Sequence, residues 1–186
     1  MAWLKFAQEL LLISKAKRGD RDAFGKLYLA YLDRVYRYIF FRVGQRREDA
    51  EDLSQTTLIR AWGAIGNYSI RKASFRAWLY TIAHNVVIDH YREANRHKTA
   101  ELTPNIADET SGGVLPEEEL ETADLTSQVR KALELLSSEH KQIIILRHME
   151  DLSYTEIAKI TGKREDAMRA LHHRALLALK KVLWHI

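Results

Sequence analysis

The 186 residues include no cysteine, which excludes disulfides, thiolate nucleophiles and cysteine-ligated zinc sites together. Two prolines and eight glycines are too few for the turn-rich chain of an all-β fold. No stretch approaches the ~20 apolar residues of a membrane-spanning helix, and the longest early run, Leu10 to Ile13, is too short for a signal-peptide core. A soluble, cytoplasmic chain without membrane insertion is the expectation. There is no glycine-rich phosphate loop, no GxSxG and no HExxH, and no two of the eight histidines stand four residues apart. Neither an enzyme nor a bound metal or cofactor is expected.

What is present is charge, unevenly spread. The net charge is +4, but Thr99 to Thr126 holds eight acids and no lysine or arginine. The rest of the chain then sets seventeen acids against twenty-nine basic residues, a net +12. Two basic bodies joined by an acidic strip suit a polyanionic partner.

The most informative stretch runs from Leu152 to Leu183. Ser153 and Glu156 have the spacing of a capping box, in which the serine hydroxyl and the glutamate each take an orphan backbone N–H. A helix should start near Tyr154, bury Ile157 and Ile160 beside Ala158, and stop at Gly162, where a left-handed residue meets no Cβ clash. A second stripe, Met168, Leu171, His172, Ala175, Leu176, Leu179 and Leu183, predicts a longer amphipathic helix. Its other side carries Arg169, His173, Arg174, Lys180 and Lys181. A short capped helix, a glycine turn and a basic helix make a helix-turn-helix, whose second helix enters the major groove of duplex DNA.

Earlier in the chain, Trp3 to Lys17 and Ala23 to Val43 have helical apolar spacing, separated by Gly19 and Asp20. Most aromatics of the second segment are at packing positions. Glu48 and Asp49 then place negative charge at a new helix N-terminus. That helix should bury Ala50, Leu53, Thr57, Ala61 and Trp62 and expose Glu51, Asp52, Gln55, Thr56, Ile59 and Arg60. An acidic face in a basic domain fits a protein partner better than DNA.

Asn67 to Ser74 reads as a polar loop, and Phe75 to Tyr91 as a fourth helix with a stripe at Phe75, Trp78, Leu79, Ile82, Ala83 and Val86. Off that stripe stand Arg76, Tyr80, Thr81, His84, Asn85, Ile88 and Arg92, of types that bond base edges, stack on unpaired bases or meet phosphate. Periodicity stops from Glu93 to about Pro116. It resumes with a stripe at Leu120, Leu125, Val129, Leu133 and Leu136, and a further helix from Glu139 to Met149. The expected fold is all-α: two small helical domains, a bundle over 1–95 and a helix-turn-helix domain over 125–186, joined by a flexible acidic linker over 96–124.

The segments DAEDLSQTTLIRAW, FRAWLYTIAHNVVIDHYR and SSEHKQIIILRHMEDLSYTEIAKITGKREDAMRALHHRAL, in that order, resemble the extracytoplasmic-function (ECF) branch of the sigma-70 family of bacterial RNA polymerase sigma factors. The resemblance implies a region 2 that docks on core RNA polymerase and reads a melted -10 element, and a region 4 that reads the -35 element as duplex. It places Asp52 and Gln55, with Glu51 and Ile59 beside them, against the β′ clamp helices. It places Asn67, Tyr68, Arg71, Lys72, Arg76, Trp78, His84, Asn85 and Arg92 on the -10 strand. The helix from about Asp166 would read the -35 element through Arg169 and Arg174, with Lys163, Arg164 and His173 flanking. Implied partners are core RNA polymerase (β′ clamp helices and β flap), promoter DNA and an anti-sigma factor that masks both regions.

Two positions depart from the family's pattern. Ala167-Met168-Arg169-Ala170-Leu171 replaces the usual Thr-Val-Lys-Ser-Arg at the start of the recognition helix, so promoter sequence does not transfer. Thr56 stands where an acid often follows the clamp-binding glutamine. The competing reading is a free-standing helix-turn-helix regulator that does not bind core polymerase. It gives no reason for an acidic docking helix beside a loop and helix suited to single-stranded DNA.

Overall fold

Asp20 starts the first bundle's central helix by accepting the Ala23 N–H at 2.9 Å, just after Gly19 turns the chain with φ +90. The computed structural model describes residues 2–100 and 123–184. Helices α1 (Ala2–Lys17), α2 (Arg21–Arg42), α3 (Arg47–Ala64) and α4 (Phe75–Ala100) form the first bundle, with a short 3-10 turn at Ile65–Asn67. Its core is Ile13 and Ala16 of α1, Val35, Ile39 and Phe40 of α2, Leu58 and Ala61 of α3, and Leu79, Ala83 and Val87 of α4. Ion pairs Arg60–Asp89 (2.8 Å) and Arg46–Asp49 (2.6 Å) trim its surface. No strand occurs among the described residues.

The second bundle is α5 (Ala123–Glu134), α6 (Ser138–Ile144, continuing as a π-helical turn over Ile145–Met149), α7 (Tyr154–Thr161) and α8 (Glu165–Leu183). Ser137 caps α6 by accepting from the His140 N–H. The expected capping box is present at α7: Ser153 accepts from the Glu156 N–H, and Glu156 accepts from the Ser153 N–H at 2.9 Å. Gly162 closes α7 in the left-handed conformation at φ +67. Leu146, Leu152, Ile157, Met168 and Ala175 pack the centre. Replacing Ser153 with alanine removes the acceptor for one orphan N–H and is expected to lower stability by about 1 kcal/mol. The check is a fall in the denaturant midpoint with an unchanged slope.

Two details differ from expectation. Helix α4 runs to Ala100, well past the loss of apolar spacing at Glu93, and the residues from Tyr91 to Arg96 are exposed apart from a half-buried Ala94, so this stretch has no core face to mark. The Glu93–Arg96 pair at 3.0 Å helps to hold this exposed extension. The helix therefore includes the start of the expected linker, α5 takes in its end at Ala123 and Asp124, and residues 101–122, with Leu120 of the expected stripe, lie outside the described residues. Val129, expected in the α5 stripe, is exposed, and Ala132 is buried in its place beside Leu133 and Leu136.

The sequence leaves the relative orientation of the two domains open. The two bundles pack on each other and share one core cluster. Helix α7 lies on α4, and α6 touches α2. Gln142 reaches from α6 to the hydroxyl of Tyr38 at 3.3 Å and to Nδ1 of His84 at 2.8 Å. Around this centre Ser74 donates to Glu156 (2.5 Å), Lys159 to the Lys72 carbonyl (2.7 Å), Arg76 to the Asp151 carbonyl (3.2 Å) and Arg42 to the Ser138 carbonyl (3.4 Å). A cleft of about 220 Å³ remains between the bundles, with Arg42, His84, Glu139, Gln142 and Lys163 on its walls.

Candidate polymerase and nucleic-acid interfaces

On α3, the 3.6-residue repeat turns Ala50, Ser54, Thr57, Leu58 and Ala61 inward and leaves Glu51, Asp52, Gln55 and Ile59 exposed. Ile59 is 70% exposed, an unusual position for a branched apolar side chain. It borders a groove lined by Arg21, Phe24, Tyr28, Leu58 and Trp62, with Phe24 and Trp62 in ring contact at 4.9 Å. Glu51 is engaged by Arg47 at 2.8 Å, which leaves Asp52 and Gln55 as the outward polar groups of the face. Acidic, polar and apolar groups thus stand side by side, and none of the second bundle covers them.

The loop and helix expected to meet the -10 strand divide into three sets. Asn67, Arg71 and Lys72 of the loop are exposed, as are Asn85 and Arg92 of α4. Arg76 and His84 are half-buried beneath the second bundle. Tyr68 differs from expectation: it is only 4% exposed, its hydroxyl donates to the Ala73 carbonyl at 3.0 Å, and its backbone carbonyl accepts from Lys17. Its ring closes a cluster with Phe75 (5.5 Å) and Trp78 (5.2 Å). Tyr68 therefore shapes the loop by packing, with Trp78 half-buried beside it, and burial pushes the Tyr68 phenol up to about 12. Tyr80, off the apolar stripe in sequence, is fully buried against the second bundle.

His84 is held near 4, first by burial and then by the charges of Arg42 and Lys163. The packed chain therefore binds fewer protons here than an open one, whose imidazole titrates near 6.5. His84's contribution to packing is complete above pH 6.5 and declines as the pH falls toward 4. An NMR titration of the full chain should place the His84 midpoint near pH 4; a midpoint of 6 to 7 would mean that the ring stands in solvent.

In the second bundle, Lys163 follows the left-handed Gly162 and pairs with Glu139 at 2.5 Å, holding that carboxyl below the usual range. Arg164, at the N-cap position of α8, makes no side-chain cap bond and instead donates from Nε and Nη2 to the two Asp166 carboxylate oxygens at 3.2 and 3.0 Å. Arg169, His173 and Arg174 are exposed along α8, while Met168, Leu171, His172 and Ala175 are buried beneath them. Leu176, expected in the buried stripe, is 39% exposed. Arg169 pairs with Glu165 at 2.6 Å and lies over the Tyr154 ring at 4.7 Å; Arg147 lies over the same ring at 5.1 Å. Tyr154 in turn bonds His172 Nδ1 at 2.7 Å, and His172 Nε2 meets His148 Nε2 at 2.8 Å.

Tyr154, His148 and Glu165 were not among the candidate residues. Tyr154 could have been suspected as the first residue after the cap of a helix-turn-helix. His148 and His172 are 24 positions apart, and no local pattern joins them.

Residues 27–97 match the Sigma-70 region 2 family and residues 126–179 match Sigma-70, region 4. The chain belongs to the sigma-70 family. Within it, similarity extends to the RNA polymerase sigma factor YlaC of Bacillus subtilis, 34% identical over 87% of this chain and 92% of that one. The ECF RNA polymerase sigma factor BldN of Streptomyces coelicolor is 37% identical over 95% of this chain, which spans 66% of BldN's length. The fold is similar to that of the sigma factor RpoE from Bartonella quintana, solved in complex with the anti-sigma factor NepR, with a TM-score of 0.69 over 86% of this chain and 96% of that chain. This chain is an ECF sigma factor whose regions 2 and 4 are the two bundles described above.

Proposed function

We propose that this sigma factor docks on core RNA polymerase through the exposed α3 face, with Asp52 and Gln55 at its centre and Glu51 and Ile59 at its edges. The β′ clamp helices are the partner that the family resemblance implies for this face, and the β flap the one for region 4. The chain supplies no catalytic group of its own; its role is to select the promoter for the polymerase's chemistry. This places it in the cytoplasm, in keeping with the absence of any helix long and apolar enough to cross a membrane among the described residues.

Promoter reading is divided between duplex and single strand. Helix α8 presents Arg169, His173 and Arg174 to the -35 major groove, with Lys163 and Arg164 beside the backbone. An arginine there either pairs bidentately with guanine or holds phosphate. The loop residues Asn67, Arg71 and Lys72, with Arg76, His84, Asn85 and Arg92 of α4, hold the melted -10 strand. Flipping a base costs a few kcal/mol of stacking and pairing, which contacts of this kind restore. An anti-sigma factor covering both regions is the expected regulator.

The observation that carries this reading is the presence, in one chain, of an exposed acidic and apolar helix face and an exposed basic recognition helix on separate bundles. The test is run-off transcription with purified core polymerase on a library of promoter fragments. Sequence-selective transcripts that need both components are expected. Duplex binding without core association would instead identify a free-standing regulator.

A further inference from the structure

The cleft between the bundles has two kinds of wall. Its apolar lining is Ile88 from the first bundle and Ile143, Ile157, Met168 and Leu171 from the second. Its polar lining includes Arg42 and His84 from the first bundle and Gln142 and Lys163 from the second. Ligand sites are built this way, from apolar walls with a few placed polar groups, and they favour the junction of two domains.

Arg42 is the polar group least provided for. It is 6% exposed, its Nε meets no acceptor, and Nη1 makes only the 3.4 Å bond to the Ser138 carbonyl. Among the described residues no carboxylate pairs with it, and a buried charge without a partner is costly. The neighbouring charges do not supply the missing anion. Glu139 is taken by Lys163 at 2.5 Å. Lys141, itself buried, is held below the usual lysine range by burial, with Glu134 opposing and the Arg42 charge adding to the effect. His84 contributes a donor: the Gln142 side-chain nitrogen can only donate to Nδ1, at 2.8 Å, so the neutral ring carries its hydrogen on Nε2.

We infer that the cleft is a binding site for a small carboxylate with an apolar body, its carboxylate on Arg42 and its body against Ile88 and Leu171. Size and charge both fit. A dry cavity of ~150 Å³ holds benzene, and about 220 Å³ accepts a ring of that size with a carboxylate attached. One negative charge matches the one guanidinium left unpaired, and a guanidinium and a carboxylate meet in a bidentate fork. The ligand touches both bundles, so it favours the closed form, in which they pack, over one in which they part. A metabolite of this class thereby gains a hold on how far regions 2 and 4 separate.

Benzoate is the probe, titrated into the full chain while the methyl resonances of Ile88, Met168 and Leu171 are followed by NMR. These resonances should move saturably. Benzamide, of the same shape without the charge, should bind at least about tenfold more weakly, the scale of one hydrogen-bonded charge lost. Inorganic phosphate, which has the charge without the body, should also bind at least about tenfold more weakly. Arg42→Gln should weaken benzoate by a similar factor, and Ile88→Trp, which fills the cleft from the opposite bundle, should abolish the shifts, with helical content by circular dichroism unchanged in both.

Absence of a saturable shift in the wild type would overturn the site. Benzamide binding as tightly as benzoate would reduce it to an apolar hole and overturn the role of Arg42, and phosphate binding as tightly would overturn the ligand class. These comparisons use the wild type alone and so stand even where a variant fails to fold. Shifts confined to the groove of Phe24 and Trp62 would place benzoate elsewhere and overturn the assignment as well. Neither polymerase nor promoter enters the assay, so its failure leaves the reading of α3 and α8 untouched.

Discussion

Asp52→Lys is expected to reduce affinity for core RNA polymerase by about thirty-fold or more, the scale on which a central interface residue acts (about 2 kcal/mol or above). The side chain is exposed on α3 and is engaged neither in the bundle core nor in the ion pairs that trim it. The thermal midpoint should therefore stay within about 1 °C of wild type, as it does for surface changes of a few tenths of a kcal/mol. Reversal should exceed removal. Asp52→Ala loses an attraction, whereas lysine also places a like charge against any basic partner surface. Ile59→Ala, deleting an apolar side chain that stands 70% exposed above the Phe24 and Trp62 groove, should add a smaller loss. Surface-immobilised core polymerase titrated with each variant reads these effects directly. Wild-type affinity for Asp52→Lys would remove α3 from the docking surface.

How far the sequence reaches is set by how many neighbours an element has. Helix α7 has a cap and a stop written within ten residues, Ser153 to Gly162, and the structure keeps both. Helix α3 buries one face only, so its outward residues could be picked out directly. Helix α4 packs on two sides, against α2 and α3 and against α7. A helix with two buried faces has no clean stripe, which is why Tyr80 and His84 read as outward-facing and are covered. Tyr38 on α2 is the same case: it lies off the apolar repeat and is fully buried beside Gln142. Tyr68 shows the opposite failure, a loop residue whose burial depends on a ring cluster formed with the following helix. In each instance the missing information is a contact between distant segments.

The same contacts explain what closure conceals and what it leaves open. Arg76 and Glu156 both bridge the bundles, through the Asp151 carbonyl and the Ser74 hydroxyl, and Glu156 also belongs to the capping box that starts α7. One glutamate thus serves the local fold of region 4 and its attachment to region 2. Three of the bonds around this interface run from a side chain to a backbone carbonyl, so there they restrict which surfaces meet without demanding a complementary side chain. Among the described residues, the -35 helix takes no part in those bonds. Its exposed residues are available in either form.

Arg169→Ala should weaken recognition of the -35 element by roughly ten- to a hundred-fold, the range of about 1–3 kcal/mol for an arginine in a bidentate base contact. Affinity for core polymerase should be unchanged, because α8 and α3 are on different bundles. The structure also states what Arg169 leaves behind on binding. It is paired with Glu165 at 2.6 Å and stacked over Tyr154 at 4.7 Å, so the free side chain is held back along the helix. Thr155 donates to the same Glu165, at 2.7 Å, and keeps that carboxylate in place when the arginine departs. Arg169→Lys keeps the charge and loses the planar fork, and should recover phosphate affinity without base preference. Run-off transcription on a -35 library separates the cases. With alanine, output should fall and preference at one base pair should relax; with lysine, output should partly return while preference stays relaxed. Loss of core binding along with promoter binding would place Arg169 in the fold of region 4 and not on its DNA face.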